Sequence, residues 1–278
     1  TTLFRSDTIL VSDSEVNEIP GLFTGDNLFE ITSVAPPACD SQQGGDPNNC
    51  LLDTLTTIPF SDEPAGLAYN PLNGHLFVSD DTAPRGIYDW DPGPDGIFDT
   101  EDDTTLFVNV RDYDATDPEG LAFDSAQGIL YFTDGSDSAV YKVDPGENGI
   151  FDGAPPAGDD LVTVFDTESL GVEDPEGITF DSDRGELYVI GRPAGSILQV
   201  TTEGTFVRMI DVSAAKPKKP SGLAYGPSSL DPSKKSIYIT DRGVDNDSDP
   251  NENDGRIHEF VLSPVRSIPS LPLLLLDD

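Results

Sequence analysis

The sequence predicts an all-β protein, because short strand-forming runs alternate with turn signals and helix breakers are frequent. Its 278 residues include 26 Gly and 24 Pro, and runs rich in Val, Ile, Thr, Phe and Tyr recur between them. Hydrophobic residues make up 36% of the chain, with 14 Phe and 8 Tyr, which is enough for a real core. This length suits one large β domain or two small ones.

One sequence unit occurs four times, and each copy begins with Pro-x-Gly. The copies occupy residues 63–80, 117–134, 174–191 and 219–241. Each copy reads as a strand, a turn and a second strand, and further strand-forming runs follow it. Third strands are predicted at 87–90, 140–143, 197–200 and 257–260, and fourth strands at 106–108, 161–165 and 206–210.

Four antiparallel strands in a unit of about 50 residues are typical of a blade of a β-propeller. The N-terminal region has the same pattern in a weaker form, with strands predicted at 3–5, 8–13, 28–31 and 55–60. We therefore predict a propeller of four-stranded antiparallel blades, five in number, with six as the alternative. Residues 1–262 form this single domain, in units near 1–60, 61–114, 115–171, 172–216 and 217–262.

The C-terminal residues 263–278 form an apolar tail that contains four consecutive leucines. This run is much shorter than the roughly 20 apolar residues that span a bilayer, so it predicts no membrane span. The tail could close the ring with the N-terminal blade or remain disordered. A third possibility is that it adds a strand to a neighbouring copy of the protein.

The charge of the chain excludes nucleic acid as a partner. There are 52 acidic and 15 basic residues, a formal net charge of −37, which repels phosphate and anionic lipid. Of the acidic residues, 38 are Asp and 14 are Glu. Asp is the short carboxylate of turns and calcium loops, so calcium is the predicted cofactor.

Two related acidic insertions, at residues 91–103 and 144–160, are the strongest candidates for calcium loops. Each has oxygen-bearing side chains at every fourth position, a Gly between them and an acidic pair at the end. A hard cation needs six to eight oxygen ligands from a compact loop, although a solvated acidic turn is the alternative. The predicted ligands are Asp91, Asp95, Asp99, Asp102 and Asp103 in the first insertion, and Asp144, Asn148 and Asp152 in the second.

A third calcium candidate lies in the last unit, within residues 241–255. Its predicted ligands are Asp245, Asp247, Asp249, Asn251 and Asn253. The alternation of acidic residues resembles the start of an EF-hand, but Pro250 occupies the position of the required Gly and no Glu occurs at the twelfth position. We therefore expect a calcium loop of another kind.

The two cysteines, Cys39 and Cys50, enclose a polar loop and are expected to form a disulfide. Two free thiols in a reducing compartment are the alternative. A disulfide predicts a secreted or cell-surface protein, and Thr1 then reads as the N-terminus of a processed chain.

The repeated unit resembles the NHL repeat and the gluconolactonase and paraoxonase-type propellers. The resemblance rests on P-x-G-L-A-F-D, G-x-L-Y-F-T-D and V-Y-K-V, and covers about residues 60–262. The segment GRIHEF at 255–260 is similar to the third strand of NHL repeats, and D-P-E-G resembles a motif of esterase-like phytases. In such families acidic residues at the inner-strand entrances can hold calcium in the central channel.

Transferred to this chain, the resemblance implies four channel candidates, Asp117, Glu119, Asp174 and Glu176. Alternatively, Glu119 and Glu176 accept backbone N–H bonds from adjacent blades. The chain has only two histidines, neither expected at the channel, and no zinc cluster, phosphate loop or Gly-x-Ser-x-Gly motif. No catalytic residue is therefore assigned.

Two functions follow as hypotheses. The first is a secreted calcium-binding propeller that acts as a matrix, adhesion or filament subunit, without enzymatic activity. Its partners would be a surface protein, a glycan, or copies of itself bound through the C-terminal tail. The alternative is a calcium-dependent hydrolase of lactones, esters or phytate, with the metal in the central channel.

Overall fold

A computed structural model describes residues 8–14, 25–33, 50–243 and 255–262. They form five antiparallel sheets arranged as the blades of a propeller, so the predicted all-β fold and blade number are confirmed. Blade 1 consists of β1 (Thr8–Ser12), β2 (Leu28–Thr32) and β3 (Leu51–Leu55), and blade 5 of β16 (Pro220–Pro227), β17 (Lys235–Asp241) and β18 (Arg256–Val261). Blade 2 consists of β4 (Pro64–Asn70), β5 (His75–Asp80), β6 (Gly86–Asp91) and β7 (Thr104–Asn109), and blade 3 of β8 (Pro118–Asp124), β9 (Ile129–Asp134), β10 (Ala139–Asp144) and β11 (Leu161–Asp166). Blade 4 consists of β12 (Glu173–Asp181), β13 (Glu186–Arg192), β14 (Ser196–Thr201) and β15 (Phe206–Asp211).

Each blade is a meander in which consecutive strands pair antiparallel, with the first strand innermost. Blades 2, 3 and 4 have four strands, and blades 1 and 5 have three strands within the described residues. Among the described residues, short 3-10 helices connect blades 2 to 5, at Val110–Tyr113, Glu168–Leu170 and Ser213–Ala215.

The core is divided among the interfaces between neighbouring blades. Between blades 2 and 3, for example, Phe77 packs with Leu130 and Phe132, each at most 1% exposed. Similar clusters join blades 1 and 2, blades 3 and 4, and blades 4 and 5. At these four interfaces the apolar residues of adjacent sheets pack face to face, which explains how blades 1 to 5 follow one another.

The glycine of the Pro-x-Gly motif allows the inner strands to approach each other. A Cβ on Gly66 would lie 2.4 Å from the carbonyl oxygen of Glu119, and one on Gly120 would lie 2.7 Å from that of Glu176. A Cβ on Gly177 would lie 2.9 Å from the Cα of Gly222. The motif glycines of blades 2 to 5 therefore stack on one another around the channel.

One predicted strand of blade 1 is wrong. The third strand is β3 (Leu51–Leu55), and the predicted strand at 55–60 is a turn that contains Pro59. Thr57 holds this turn, because its N–H donates to the side chain of Asn27 at 2.8 Å and its carbonyl accepts the N–H of Ser61 at 2.7 Å. The predicted strand at 3–5 and the tail 263–278 lie outside the described residues.

Candidate functional site

The inner strands of the five blades surround a central cavity of about 500 Å³. Its wall includes apolar residues such as Leu121 and Ile178 and charged residues of both signs, namely Asp13, Asp81, Glu119, Glu176, Asp241, Arg242 and Arg256. A cavity of this size that combines apolar and charged groups is a candidate ligand site.

A β-bulge places the middle residue of each Pro-x-Gly motif at the cavity. The pairing of first and second strands shifts register between Pro118 and Leu121 in blade 3, and between Glu173 and Gly177 in blade 4. Such a bulge redirects one side chain out of the regular alternation. In blades 3 and 4 that residue is Glu119 or Glu176, both of which line the cavity.

Three arginines pair with three of the carboxylates near the cavity. Arg85 Nη1 lies 2.5 Å from Asp117 Oδ1, and Arg192 forms an ion pair with Asp174. Arg242 Nη2 is 3.9 Å from Glu176 Oε1, at the edge of a direct contact. These pairs offset part of the negative charge that the repeat brings to the channel.

Two carboxylates, Glu119 and Asp81, have no ion-pair partner in the described part of the chain. Burial raises the pKa of Glu119 to about 9, and the nearby charges of Glu176, Asp81 and Asp117 add to this shift. Burial and neighbouring carboxylates also raise the pKa of Asp81, whose Oδ1 is buried without a hydrogen-bond partner among the described residues. With its pKa of about 9, which Arg242 already lowers in part, Glu119 carries a proton at neutral pH.

The contacts between blades at this point come from main-chain groups of the two glutamates. The Ser79 hydroxyl donates to the carbonyl oxygen of Glu119, and the Thr133 hydroxyl lies 3.4 Å from that of Glu176. Both hydroxyls come from the second strand of the preceding blade. The carboxylates themselves face the cavity, so the structure brings Glu119 and Glu176 together with Asp117 and Asp174 at one end of the ring.

Sequence reasoning missed Asp81 and the three arginines. Asp81 and Arg242 directly follow the second strands of blades 2 and 5, and Arg192 is the last residue of the second strand of blade 4. The available signal was a charged residue at this position in three of the four copies, since blade 3 has Gly135 there. The residue type at this position differs among the four copies of the repeat, so comparing the copies does not identify it as a site residue.

The acidic insertions are built alike and are anchored by an aromatic residue. Phe98 and Phe151 are 4% and 6% exposed, and they pack edge-on against Trp90 and Phe77, respectively. Four of the predicted calcium ligands stabilise turns in these loops. The side chains of Asp91, Asp95, Asp144 and Asn148 each accept a hydrogen bond from the backbone N–H of the residue two positions further along the chain. In each of the three aspartates, Asp91, Asp95 and Asp144, this hydrogen bond uses one carboxylate oxygen, and the second oxygen can contact another group.

The insertion at 91–103 ends in a closed hydrogen-bond network. Oδ2 of Asp103 accepts the indole N–H of Trp90 at 2.6 Å and the backbone N–H of Asp99 at 2.8 Å. The Thr100 hydroxyl lies 2.8 Å from Oδ1 of Asp102 and 3.0 Å from Oδ1 of Asp103.

The insertion at 144–160 brings three carboxylates together. Ligand oxygens of Asp152, Asp159 and Asp160 all lie within 4.8 Å of one another. Oδ2 of Asp160 accepts the Tyr113 hydroxyl at 2.6 Å and the N–H groups of Asp152 and Gly153. Burial raises the pKa of Asp160, although these hydrogen bonds oppose the shift.

Two carboxylate oxygens in this group have no partner. Oδ1 of Asp159 and Oδ1 of Asp160 are buried, and no described residue donates a hydrogen bond to either. Leaving a buried acceptor unpaired costs about 1–3 kcal/mol, and more for a charged group. Asp159 and Asp160 were not among the predicted ligands, although their counterparts Asp102 and Asp103 were.

Several predicted site residues lie outside the described residues. They are Asp245, Asp247, Asp249, Asn251 and Asn253 of the third calcium candidate, and Cys39. The calcium loop at 241–255 and the Cys39–Cys50 pairing therefore stay predictions. Both histidines are described and neither lines the cavity: His75 contacts Asp89 at 2.8 Å, and His258 lies 3.8 Å from Asp241.

Comparison with solved structures agrees with the propeller fold. The structure of a calcium-binding protein, regucalcin from Agrobacterium tumefaciens, aligns with a TM-score of 0.51 at 16% identity, covering 92% of this chain and 73% of regucalcin. A luciferin-regenerating enzyme aligns with a TM-score of 0.50 at 16% identity, covering 84% and 70%. A nidogen–laminin complex gives 0.47 at 17% identity, covering 79% and 83%. No protein-family model and no curated protein matches the sequence.

At these identities the comparisons concern the fold alone, and they confirm the resemblance to propeller proteins that the repeats predict. The chain is thus a five-bladed propeller with an acidic central channel. No helix among the described residues is long and apolar enough to cross a membrane.

Proposed function

We propose that the protein is a secreted calcium-binding β-propeller that works by binding a partner, and that the central channel receives a positively charged group of that partner. Calcium is assigned to the acidic loops that the sequence predicts. This proposal combines the extracellular, calcium-dependent role expected from the sequence with the charge distribution around the channel.

The observation that carries the proposal is that Glu119 and Asp81, beside a cavity of about 500 Å³, have no ion-pair partner among the described residues. Arginines pair with Asp117, Asp174 and Glu176, whereas Glu119 and Asp81 share a low-dielectric site without such a pair among the described residues. A bound cation would compensate this charge and displace the proton from Glu119. A lysine or arginine side chain is small enough to enter such a cavity.

The channel fits an organic cation better than a bare metal ion. Among the described residues, Asp81, Glu119 and Glu176 do not form a group of three ligand atoms within 4.8 Å, whereas Asp152, Asp159 and Asp160 do. Oxygens on one calcium ion lie at most about 5 Å apart, because each Ca–O distance is about 2.3–2.6 Å. Support for calcium elsewhere in the molecule comes from the acidic loops, and regucalcin, which shares the fold, is described as a calcium-binding protein.

Isothermal titration calorimetry with a tetra-arginine peptide tests the channel. Binding at neutral pH should release protons, seen as an enthalpy that depends on the ionisation enthalpy of the buffer. The Glu119→Gln variant should release none and bind on the order of tenfold more weakly, which is about 1.4 kcal/mol. Glu168→Gln, on an exposed 3-10 helix, is the matched control and should behave like the wild type. Equal proton release in all three proteins would refute the proposal.

A hydrolase is the second candidate, favoured by one observation. Glu119 and Glu176 are neighbouring carboxylates at a cavity, and burial raises the pKa of both. Perturbed pKa values of this kind are common among catalytic acids and bases. In that case the glutamates would hold calcium as a Lewis acid for ester, lactone or phosphoester cleavage.

A screen of lactones, aryl esters and phytate with added calcium tests the hydrolase. Glu119→Gln and Glu176→Gln should each abolish any activity that belongs to the channel. Equal rates in both variants and the wild type would exclude this function.

Self-association through residues 263–278 belongs to the same proposal and needs its own test. Light scattering of the full chain and of a chain ending at Leu262 should show a larger assembly for the full chain only. A monomer for both proteins, with calcium and with chelator, would contradict assembly through the tail.

A further inference from the structure

We infer that the loop at 144–160 is a calcium site formed by Asp152, Asp159 and Asp160, and that the related loop at 91–103 holds no ion because the Thr100 hydroxyl takes its place. This inference rests on the calcium-binding part of the proposed function and narrows it. The sequence treats the two loops as equivalent, whereas the structure separates them.

The geometry of the 144–160 loop suits one calcium ion. Ligand oxygens of its three aspartates lie within 4.8 Å of one another, which agrees with two oxygens at about 2.3–2.6 Å from a shared ion. Three carboxylates at this separation repel each other strongly unless a cation lies between them.

The hydrogen bonds of the loop orient the carboxylates toward that point. Asp160 is 1% exposed and uses Oδ2 for the Tyr113 hydroxyl and two backbone N–H groups. Asp159 uses Oδ2 for the N–H groups of Glu147 and Asn148, at 3.0 and 3.3 Å. The Oδ1 atoms of both residues are buried and have no partner in the described part of the protein, so each is free to bind an ion.

Asp152 completes the group and is itself held in place. Its Oδ1 accepts the N–H of Asp159 at 3.2 Å, and its Oδ2 accepts the side-chain amide of Asn148 at 2.9 Å. Asn148, predicted as a ligand, thus orients a ligand in this structure. Gly158 is required here, because a Cβ at this residue would lie 1.7 Å from Oδ1 of Asp152.

The loop at 91–103 has the same backbone conformation at its first glycine as the loop at 144–160, but its terminal aspartates have different contacts. Gly93 and Gly146 share a φ of +66°, and a Cβ on either would lie within 2.7 Å of the carbonyl oxygen of Asp102 or Asp159, respectively. In the first loop, however, the Thr100 hydroxyl lies within hydrogen-bond distance of Oδ1 of both terminal aspartates. The second loop has Gly153 after Asp152, where the first has Thr100 after Asp99, so no hydroxyl is available.

Calcium titration by calorimetry with matched variants tests the inference. Asp159→Asn should lose one calcium equivalent relative to the wild type, since the amide oxygen can still accept the two backbone N–H bonds while the charge is removed. Asp102→Asn, the counterpart in the other loop, should lose none. Asp152→Asn provides a second variant and should lose the same single equivalent.

Melting in chelator separates binding from folding. In chelator Asp159→Asn should melt no lower than the wild type, because it removes one of three mutually repelling charges, and it should show a smaller calcium-induced rise in Tm. A loss of one equivalent in both Asp159→Asn and Asp102→Asn, or in neither, would overturn the assignment while leaving calcium binding by the protein intact. A wild type that binds no calcium would remove this inference and the calcium part of the proposed function, but not the channel site, which the tetra-arginine titration tests.

Discussion

The Tyr113 hydroxyl donates a 2.6 Å hydrogen bond to Oδ2 of Asp160. Tyr113 belongs to the 3-10 helix that follows blade 2, and Asp160 ends the acidic loop of blade 3. The bond therefore fixes the loop to the neighbouring blade, and burial next to this carboxylate raises the pKa of the tyrosine far above its usual range.

Replacing Tyr113 by Phe should destabilise the protein by about 1–3 kcal/mol, because a buried carboxylate loses a donor. Urea unfolding followed by fluorescence measures the change. Tyr225→Phe is the control, since that hydroxyl contacts the exposed carboxylate of Asp183, and it should cost less. An equal loss of unfolding free energy in both variants would show that the contact with Asp160 stabilises the protein no more than the contact with the exposed Asp183.

Gly120→Ala should destabilise the ring strongly. The added Cβ would lie 2.7 Å from the carbonyl oxygen of Glu176 and 2.8 Å from the backbone N of Ile178, and backbone atoms cannot rotate away. Overpacking of this kind costs about 1–3 kcal/mol or more. Gly226→Ala, on the inner strand of blade 5, meets only a Tyr238 ring atom at 3.9 Å and should be nearly neutral in thermal melting.

Glu119 should make the free energy of unfolding of the protein fall as the pH rises from about 4.5 to about 9. In this window the folded state keeps a proton that the unfolded state has lost, because the pKa of Glu119 is raised from its ordinary value of 4.5 to about 9. Glu119→Gln should therefore show a weaker decline across this window in urea unfolding. A decline identical to that of the wild type would mean that Glu119 does not hold the proton.

Calcium should raise the Tm of the wild-type protein, and chelator should reverse the effect. A ligand that binds only the folded state at a hundredfold excess over Kd adds about 2.7 kcal/mol. Magnesium at the same concentration controls for ionic strength, and it should stabilise less because it demands stricter octahedral geometry. Equal melting curves with calcium and with chelator would contradict a structural role for the ion.

The fold could be predicted from the sequence because each copy of the repeat specifies both its own strands and its contact with the next blade. Pro118, Glu119 and Gly120 form the start of an inner strand, a bulge and a close contact with the next blade, and the same pattern recurs elsewhere. In blade 1 the pattern is weaker, and the strand predicted at 55–60 is a turn around Pro59.

The candidate sites were only partly accessible. Glu119 and Glu176 follow from their place in the repeat, but the pairing of Arg85 with Asp117 depends on the distance between loops of different blades. The difference between the two acidic loops depends on a single hydroxyl, that of Thr100, whose two contacts no spacing rule predicts.

The number of protons released when a tetra-arginine peptide binds at neutral pH decides whether the central channel is a cation site. The wild type should release protons and Glu119→Gln should release none, because the cation replaces the proton on Glu119. Binding without proton release, or the same release from the variant, would show that the peptide binds elsewhere on the acidic surface and would contradict the channel as the binding site.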